Sequence, residues 1–146
     1  MDIRVMTIAD YEKAYDLWLK TPNMGLNDLD DSKEGIHKYL MRNPNTCFIA
    51  EEDGVIIGVI LSGHDGRRGF IYHTAVLGGE QRQGIGTALV EAAMSALKSE
   101  GITKVALVVK SGNEKGNAFW EKREFTTRPD LIYRNKAIAE LKRLDT

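Results

Sequence analysis

Hydrophobic and polar residues change their spacing most clearly within residues 70–100 (FIYHTAVLGGEQRQGIGTALVEAAMSALKSE). Residues 70–77 form a mainly apolar run that predicts a strand, whereas apolar residues recur at helical spacing in the second half of the segment. A short turn that contains Gly84 and Gly86 lies between the two patterns. The segment therefore predicts a strand, a glycine turn and a long amphipathic helix.

The remaining residues alternate between strand-like and helix-like patterns. In chain order they first predict a strand at 3–6, helices at 11–20 and 33–41, strands at 46–51 and 55–62, and a polar turn at 63–69. After the long helix they predict a strand at 104–109, a helix at 113–122 and a strand that begins at 124. Asp53 and Gly54, between two β-rich runs, are typical of a hairpin. The run at 104–109 is typical of a strand buried on both faces. The pattern near the end of the sequence fits two alternatives equally, a strand at 131–138 or a helix at 137–144.

The composition is that of an ordinary globular protein, and it narrows the function classes. A length of 146 residues, with 42% hydrophobic and 28% charged residues, suits one domain at 1–146. The net charge of -1 gives no general attraction for nucleic acid or for an anionic membrane. No signal-peptide pattern and no membrane-length apolar run occur, so a cytoplasmic location is expected. Cys47 has no second cysteine to pair with and is expected in the core; no metal site is predicted.

The glycine turn has the properties of an anion-binding site. The first backbone amides of a helix have no partner within the helix, and the helix dipole adds partial positive charge there. Gly84 and Gly86 allow close approach of the backbone to a phosphate, and Arg82 adds a cation. Two common phosphate loops are excluded, because Ile85 stands where a triphosphate loop needs lysine and Leu89 where a dinucleotide fingerprint needs glycine.

Two motifs together make the chain similar to a known family. The strand that ends at Val76 leads into Gln81-x-x-Gly84-x-Gly86, and residues 113–125 (NEKGNAFWEKREF) follow downstream. In this order and spacing they resemble the GNAT superfamily of acyl-CoA-dependent N-acetyltransferases, over nearly the whole chain. The resemblance implies a mixed α/β fold with a central, mostly antiparallel sheet, splayed between its fourth and fifth strands and covered by helices on both faces.

The resemblance also implies acetyl-CoA as cosubstrate, with no metal. The pantetheine arm would pair with the backbone of the fourth strand, and the pyrophosphate would bind at the glycine turn. The cofactor-binding residues implied in this way are Ala75, Val76, Leu77, Gln81, Arg82, Gln83, Gly84, Ile85, Gly86, Thr87, Asn113, Phe119 and Lys122.

The implied reaction is direct attack of a neutral amine on the thioester, so a group must accept a proton. His73 is the first candidate because its ordinary pKa suits proton transfer, although a packed, hydrogen-bonded histidine is an equally good interpretation. Tyr72 is the second candidate, and strand alternation predicts that the two side chains point to opposite faces. The Val76 amide is the expected donor to the carbonyl oxygen. His37 and His64 are expected on the surface.

The chain departs from the family pattern at two positions. Trp120 stands where many members have a tyrosine that protonates the departing thiolate. Either Tyr133 or Tyr72 supplies that proton, or CoA leaves as the thiolate. Trp120 itself is expected as a core or cofactor-wall aromatic, and Glu124 replaces the usual glycine of a turn.

Residues 24–31 (MGLNDLDD) are expected to shape the acceptor site, as the resemblance implies for this region. Its carboxylates could attract a cationic amine, or they could cap the helix that follows. Capping is favoured for Asp31 and Ser32, and the role of Asp28 is left open.

The leading hypothesis is an N-acetyltransferase that moves the acetyl group of acetyl-CoA to a primary amine of a small molecule or peptide. The alternative is a non-catalytic module that binds or senses acyl-CoA. Nucleic-acid binding through Arg67, Arg68 and Arg82 is disfavoured, because these residues lack interleaved aromatics. A homodimer is possible, since family members often form dimers.

Overall fold

A five-stranded sheet lies at the centre of the computed structural model, which describes residues 1–80 and 83–145. The elements in chain order are β1 (Asp2–Val5), α1 (Tyr11–Leu19), α2 (Lys33–Arg42), β2 (Phe48–Glu52), β3 (Val55–His64), β4 (Gly69–Val76), α3 (Ile85–Ser99), β5 (Val105–Ala106) and α4 (Glu114–Lys122). Short 3-10 turns at Ile8–Asp10 and Gly78–Glu80 precede α1 and α3. The strands lie side by side in sequence order, and only the β4–β5 pair is parallel.

Local turn chemistry explains the antiparallel part of the sheet. Asp53 and Gly54 join β2 to β3, and both have positive φ, at 50° and 77°. Two successive residues of this kind match the twist of a tight hairpin. The hairpin predicted from Asp53-Gly54 is confirmed.

Helices cover both faces of the sheet. On one face α1 and α2 bury a cluster that includes Trp18, Leu40 and Leu61. On the other face α3 packs Leu89 and Ala93 against the strands. The predicted mixed α/β fold, with a mostly antiparallel sheet between two helical layers, is confirmed.

The sheet splays open between β4 and β5. Their pairing is confined to Gly69 with Val105 and Phe70 with Ala106. The prediction of a strand at 104–109 buried on both faces is wrong, because the strand has two residues and Val108 is 58% exposed. Because the pairing ends at Phe70 and Ala106, the two strands diverge beyond these residues.

The tail takes neither of the conformations that its sequence left open. The structure has no strand at 124–126 or 131–138 and no helix at 137–144. Residues 126–141 run along the surface, where Leu131, Ile132 and Tyr133 are exposed. An isolated bridge between Asn27 and Arg143 ties the end of the tail to the segment between α1 and α2.

The single thiol lies in the core, as predicted. Cys47 is 1% exposed and donates a hydrogen bond to the Ser62 carbonyl oxygen. Burial raises the pKa of the Cys47 thiol to about 12, which keeps it protonated and unreactive at neutral pH. Within residues 1–80 and 83–145, no helix has the length and apolarity needed to cross a membrane.

Candidate functional site

A β-bulge in β4 places Tyr72 and His73 on the same face of the sheet. Ile60 of β3 pairs with Thr74 and Ser62 pairs with Ile71, so Leu61 alone lies opposite two residues of β4. A bulge of this kind breaks the alternation of side chains. Tyr72 therefore stacks edge-on against Tyr39 of α2, and the His73 ring packs edge-on against Trp18 of α1. The prediction that Tyr72 and His73 point to opposite faces is wrong.

His73 forms a hydrogen-bonded pair with Asp31. The His73 Nε2 atom lies 2.6 Å from Asp31 Oδ1, and Asp31 Oδ2 accepts the Asn27 backbone N–H at 2.8 Å. Asp31 is only 4% exposed, so both of its oxygens are engaged in a site largely closed to water. The His73 ring is therefore packed and hydrogen-bonded, as one of the two interpretations predicted. Its partner is a carboxylate, which is also compatible with a role as a base.

This pairing corrects the predicted role of Asp31. Ser32 occupies the N-cap of α2, where its Oγ atom accepts the Gly35 backbone N–H at 3.0 Å, as predicted. Asp31 lies one residue too early to reach those amides, and its side chain turns inward to His73 instead. The capping prediction is right for Ser32 and wrong for Asp31.

The Asp31 contact determines which His73 nitrogen can accept a proton. A neutral imidazole carries one N–H, and a carboxylate partner draws that N–H to Nε2. The lone pair is then on Nδ1. A histidine oriented in this way by a buried carboxylate has the arrangement of a general base with its supporting group.

A cavity of about 750 Å³ adjoins this pair. Its wall includes the segment before α2, one face of α2 and the β4 bulge, with Asp31, Tyr72 and His73 among the lining residues. Burial, followed by the nearby Tyr133 and Asp30, raises the pKa of Tyr72 above its ordinary value. Tyr72 therefore keeps its proton at neutral pH, and this state suits a proton donor better than a base.

The two other histidines do not line this cavity. His37 is exposed on α2, as predicted. His64 is only partly exposed, because its Nε2 atom lies 2.8 Å from Glu100 Oε1 and the ring is held against the end of α3. His64 therefore lies at the surface as predicted, although its contact with Glu100 partly covers the ring.

The segment before α2 is held by the end of the chain, which we call the C-terminal strap (residues 142–145). The Asp145 carboxylate accepts the backbone N–H groups of Gly25 and Leu26, at 3.0 and 2.7 Å. Asp28, whose role was left open, accepts the Lys142 N–H at 2.7 Å and donates its own N–H to the Lys142 carbonyl at 2.9 Å. The strap thus anchors the backbone that leads directly into Asp31.

Replacing Asp145 by alanine is expected to lower the free energy of unfolding by about 1–3 kcal/mol, since a carboxylate is lost from two backbone amides. The Gly25 and Leu26 amides should also exchange faster with solvent. Urea denaturation and amide hydrogen exchange measure both effects. Asp130→Ala is the control, because that carboxylate pairs with the exposed Arg128 at the surface, and the stability of this variant is expected to be unchanged. Equal behaviour of the two variants would show that the strap bonds are unimportant.

The glycine turn enters α3 through a left-handed residue. Gly84 is the N-cap of α3 with φ of 78°, and a Cβ built there meets no atom within 4 Å. The Ala88 N–H makes the first bond along the helix, to the Gly84 carbonyl, so the amides of Ile85, Gly86 and Thr87 precede the helical ladder. The first turn carries no acidic residue. Gln83 is exposed beside it, whereas Gln81 and Arg82 lie outside the described residues.

The second motif packs directly against this helix start. Phe119 of α4 touches Gly86, and a Cβ at Gly86 would lie 2.9 Å from the Phe119 ring. Arg123, which the sequence analysis did not select, lies over the Phe119 ring at 3.7 Å and donates a hydrogen bond to Thr87 Oγ1. The sequence could have indicated Arg123, because it directly follows Lys122 within the second motif. The motif therefore brings a cation to the first turn of α3.

The other selected residues of the second motif have separate positions. Asn113 caps α4 by accepting the Gly116 N–H at 2.9 Å, while Lys122 is exposed. Trp120 packs edge-on between Phe119 and Phe125, which agrees with a core aromatic. Glu124 has φ of 66°, a conformation that explains why the family pattern has glycine there.

Gly86→Ala is expected to lower the free energy of unfolding by about 1 kcal/mol. The added methyl group pushes the Phe119 ring out of contact with Arg123, which costs more than the gain in helix propensity. Urea denaturation measures the difference. Gly79→Ala is the control, since a Cβ there meets no atom within 4 Å. A stabilised Gly86→Ala protein would refute this account of the α3–α4 contact.

Comparisons with known proteins agree with this geometry. Residues 11–125 match the model described as the acetyltransferase (GNAT) family. An acetyltransferase of Photorhabdus laumondii subsp. laumondii is 31% identical over 142 residues, which cover 96% of this chain and 98% of the relative. Among solved structures, Ard1 of Thermoplasma volcanium has a TM-score of 0.74 at 21% identity, covering 84% of this chain and 80% of that one. The PaiA N-acetyltransferase of Thermoplasma acidophilum, solved in complex with coenzyme A, has a TM-score of 0.72 at 21% identity, covering 84% and 87%.

Proposed function

The chain belongs to the GNAT family of acetyltransferases, and on that premise we propose that it transfers an acetyl group from acetyl-CoA to a primary amine of a small molecule or peptide. One observation carries the proposal. The His73–Asp31 pair lies on the wall of a cavity, and His73 belongs to β4, the strand that leads towards the helix start at Gly84. The proposed proton acceptor, the cavity proposed for the acceptor molecule and the proposed phosphate-binding turn follow one another along β4 and the start of α3.

His73 accepts the proton of the incoming amine. An alkylammonium has a pKa near 10.4, so only about one molecule in 2,500 is neutral at pH 7. The Nδ1 atom takes that proton, directly or through water, while Asp31 holds the ring in place and balances the positive charge that the ring acquires. Asp31 acts through His73 and is a positioning residue.

Tyr72 is the proposed proton donor to the departing thiolate. It lines the same cavity as His73 because of the β4 bulge, and its raised pKa keeps the hydroxyl protonated. Trp120 has no hydroxyl and packs between two phenylalanines, so it cannot take this role. The Val76 amide remains the predicted donor to the thioester carbonyl oxygen.

The glycine turn is the proposed binding site for the diphosphate of acetyl-CoA, which supplies the acetyl group as a thioester. The space beside Gly84 and the amides of Ile85, Gly86 and Thr87 suit a phosphate. Backbone groups of residues 75–77 would hold the pantetheine arm. Asn113, Phe119 and Lys122 remain proposed contacts, as do Gln81, Arg82 and Gln83. The coenzyme A complex of the Thermoplasma acidophilum neighbour supports the choice of ligand.

Calorimetry with acetyl-CoA, followed by thiol release across a panel of amines, tests this function. The panel includes polyamines, amino acids, aminoglycosides and peptides. Micromolar binding together with turnover on one class of amine is the expected result. Binding without turnover on any amine would favour the acyl-CoA-binding or sensing module, and absence of binding would overturn the assignment of the glycine turn.

A further inference from the structure

The cavity wall carries two exposed basic residues close together on one helix. Lys38 and Arg42 lie one turn apart on α2, both are exposed, and both line the cavity beside His73. Neither forms an ion pair in the part of the chain that the structure describes. Lys33 of the same helix behaves differently, because it pairs with Glu12 at 3.0 Å and lies outside the cavity. We call Lys38 and Arg42 the basic pair.

The helix dipole and the spacing of charges along α2 explain only part of the placement of the basic pair. Arg42 is in the last turn of α2, where the helix dipole favours a cation. Lys38 lies in the middle of the helix, where the dipole contributes little. Glu34 one turn earlier attracts Lys38, whereas Arg42 one turn later repels it. An anion bound between the two side chains would remove that repulsion.

Acidic residues occupy the other end of the same cavity. Asp30 and Glu34 lie at the start of α2, next to Asp31 and its contact with His73. Glu34 and Arg42 are eight residues apart, which is about 12 Å along a helix. Apolar groups of Ile36 and Leu61 line the wall between these ends. The cavity therefore has a negative end near the proposed base and a positive end that begins at Lys38, one turn from Glu34, and reaches Arg42 about two turns away.

We propose that the acceptor is a primary amine that also carries an anionic group, a carboxylate or a phosphate, several bonds from its nitrogen. The inference rests on the acetyl transfer proposed above. Asp30 and Glu34 attract the ammonium end towards His73, and the basic pair binds the anionic end. The same basic pair repels acceptors with several positive charges, such as polyamines and aminoglycosides.

Matched acceptors test the proposal by steady-state thiol release. One series contains ω-amino carboxylates with two to six carbons and their neutral carboxamides, and a second contains aminoalkyl phosphates and the corresponding amino alcohols. We expect kcat/KM to be at least about tenfold higher for the anionic member of the best pair. The series that shows the preference distinguishes carboxylate from phosphate. Equal values within every pair would overturn the proposal and leave acetyl transfer intact.

The double variant Lys38→Gln/Arg42→Gln identifies the residues responsible. It should lose the preference through a raised KM for the anionic acceptor, with the KM for acetyl-CoA unchanged. Lys33→Gln is the matched control on the same helix and should retain the preference. A preference that survives in the double variant would contradict the assignment.

If no turnover is observed, the affinity of the protein for each acceptor tests the proposal instead. The same pairs are titrated calorimetrically into the protein in the presence of CoA. Tighter binding of the anionic member, lost in the double variant, supports the proposed acceptor class even where acetyl transfer itself fails. Equal binding of both members overturns the class.

Discussion

Replacing His73 by glutamine is expected to lower kcat for acetyl transfer by about 10²- to 10⁴-fold, the usual contribution of a general base. The glutamine amide can still donate to Asp31 and pack against Trp18, but it has no nitrogen that accepts a proton at neutral pH. The loss should therefore appear in kcat, while acetyl-CoA affinity and the free energy of unfolding stay close to those of the unmodified protein. Steady-state kinetics and calorimetry measure these quantities.

His64→Gln is the matched control for this prediction. His64 also pairs with a carboxylate, Glu100, but it lies outside the cavity lining. Its replacement should leave kcat unchanged. If both variants keep full activity, His73 is only a packed core residue and another group accepts the proton.

Replacing Gly84 by valine is expected to weaken acetyl-CoA binding by at least about 100-fold, because the added side chain fills the space proposed for a phosphate. The φ of 78° also disfavours a β-branched residue, at a cost of about 1–2 kcal/mol in stability. The affinity loss should therefore exceed the loss that the strain alone would cause. Calorimetry with acetyl-CoA and urea denaturation separate the two.

Gly101→Val provides the same backbone strain at the opposite end of α3. Gly101 has φ of 83°, and a Cβ there also meets no atom within 4 Å. This variant should lose similar stability and keep its affinity for acetyl-CoA. Similar affinity losses in both variants would place the effect in the helix as a whole rather than at its start.

The parts of the fold that the sequence predicted correctly are those with local causes. The Asp53-Gly54 hairpin depends on two residues, and the helix that follows Gly84 depends on a periodic pattern over four turns. β5 and the tail depend on whether a neighbouring strand is present. The apolar residues at 104–109 do not reveal how far a neighbouring strand pairs with them. The predicted length and burial of this strand were therefore wrong.

In the candidate site, too, features with local causes were predicted and features that depend on distant residues were missed. His73 was selected from its chemistry and its place on the strand, but Asp31 is 42 residues away and was assigned to a helix cap. The bulge that brings Tyr72 beside His73 follows from the pairing of β4 with β3, which alternation within one strand does not reveal. The contacts of Asp145 with Gly25 and Leu26 span about 120 residues and had no signal in the sequence.

The most direct test of the central claim is a product balance for the unmodified protein and the His73→Gln variant. Acetyl-CoA and the best amine of the panel are incubated with each protein, and mass spectrometry quantifies free CoA and N-acetylated amine. We expect equal amounts of the two products with the unmodified protein, and formation at least about 100-fold slower with the variant. Bound acetyl-CoA that yields no acetylated amine, or equal rates for both proteins, would contradict it.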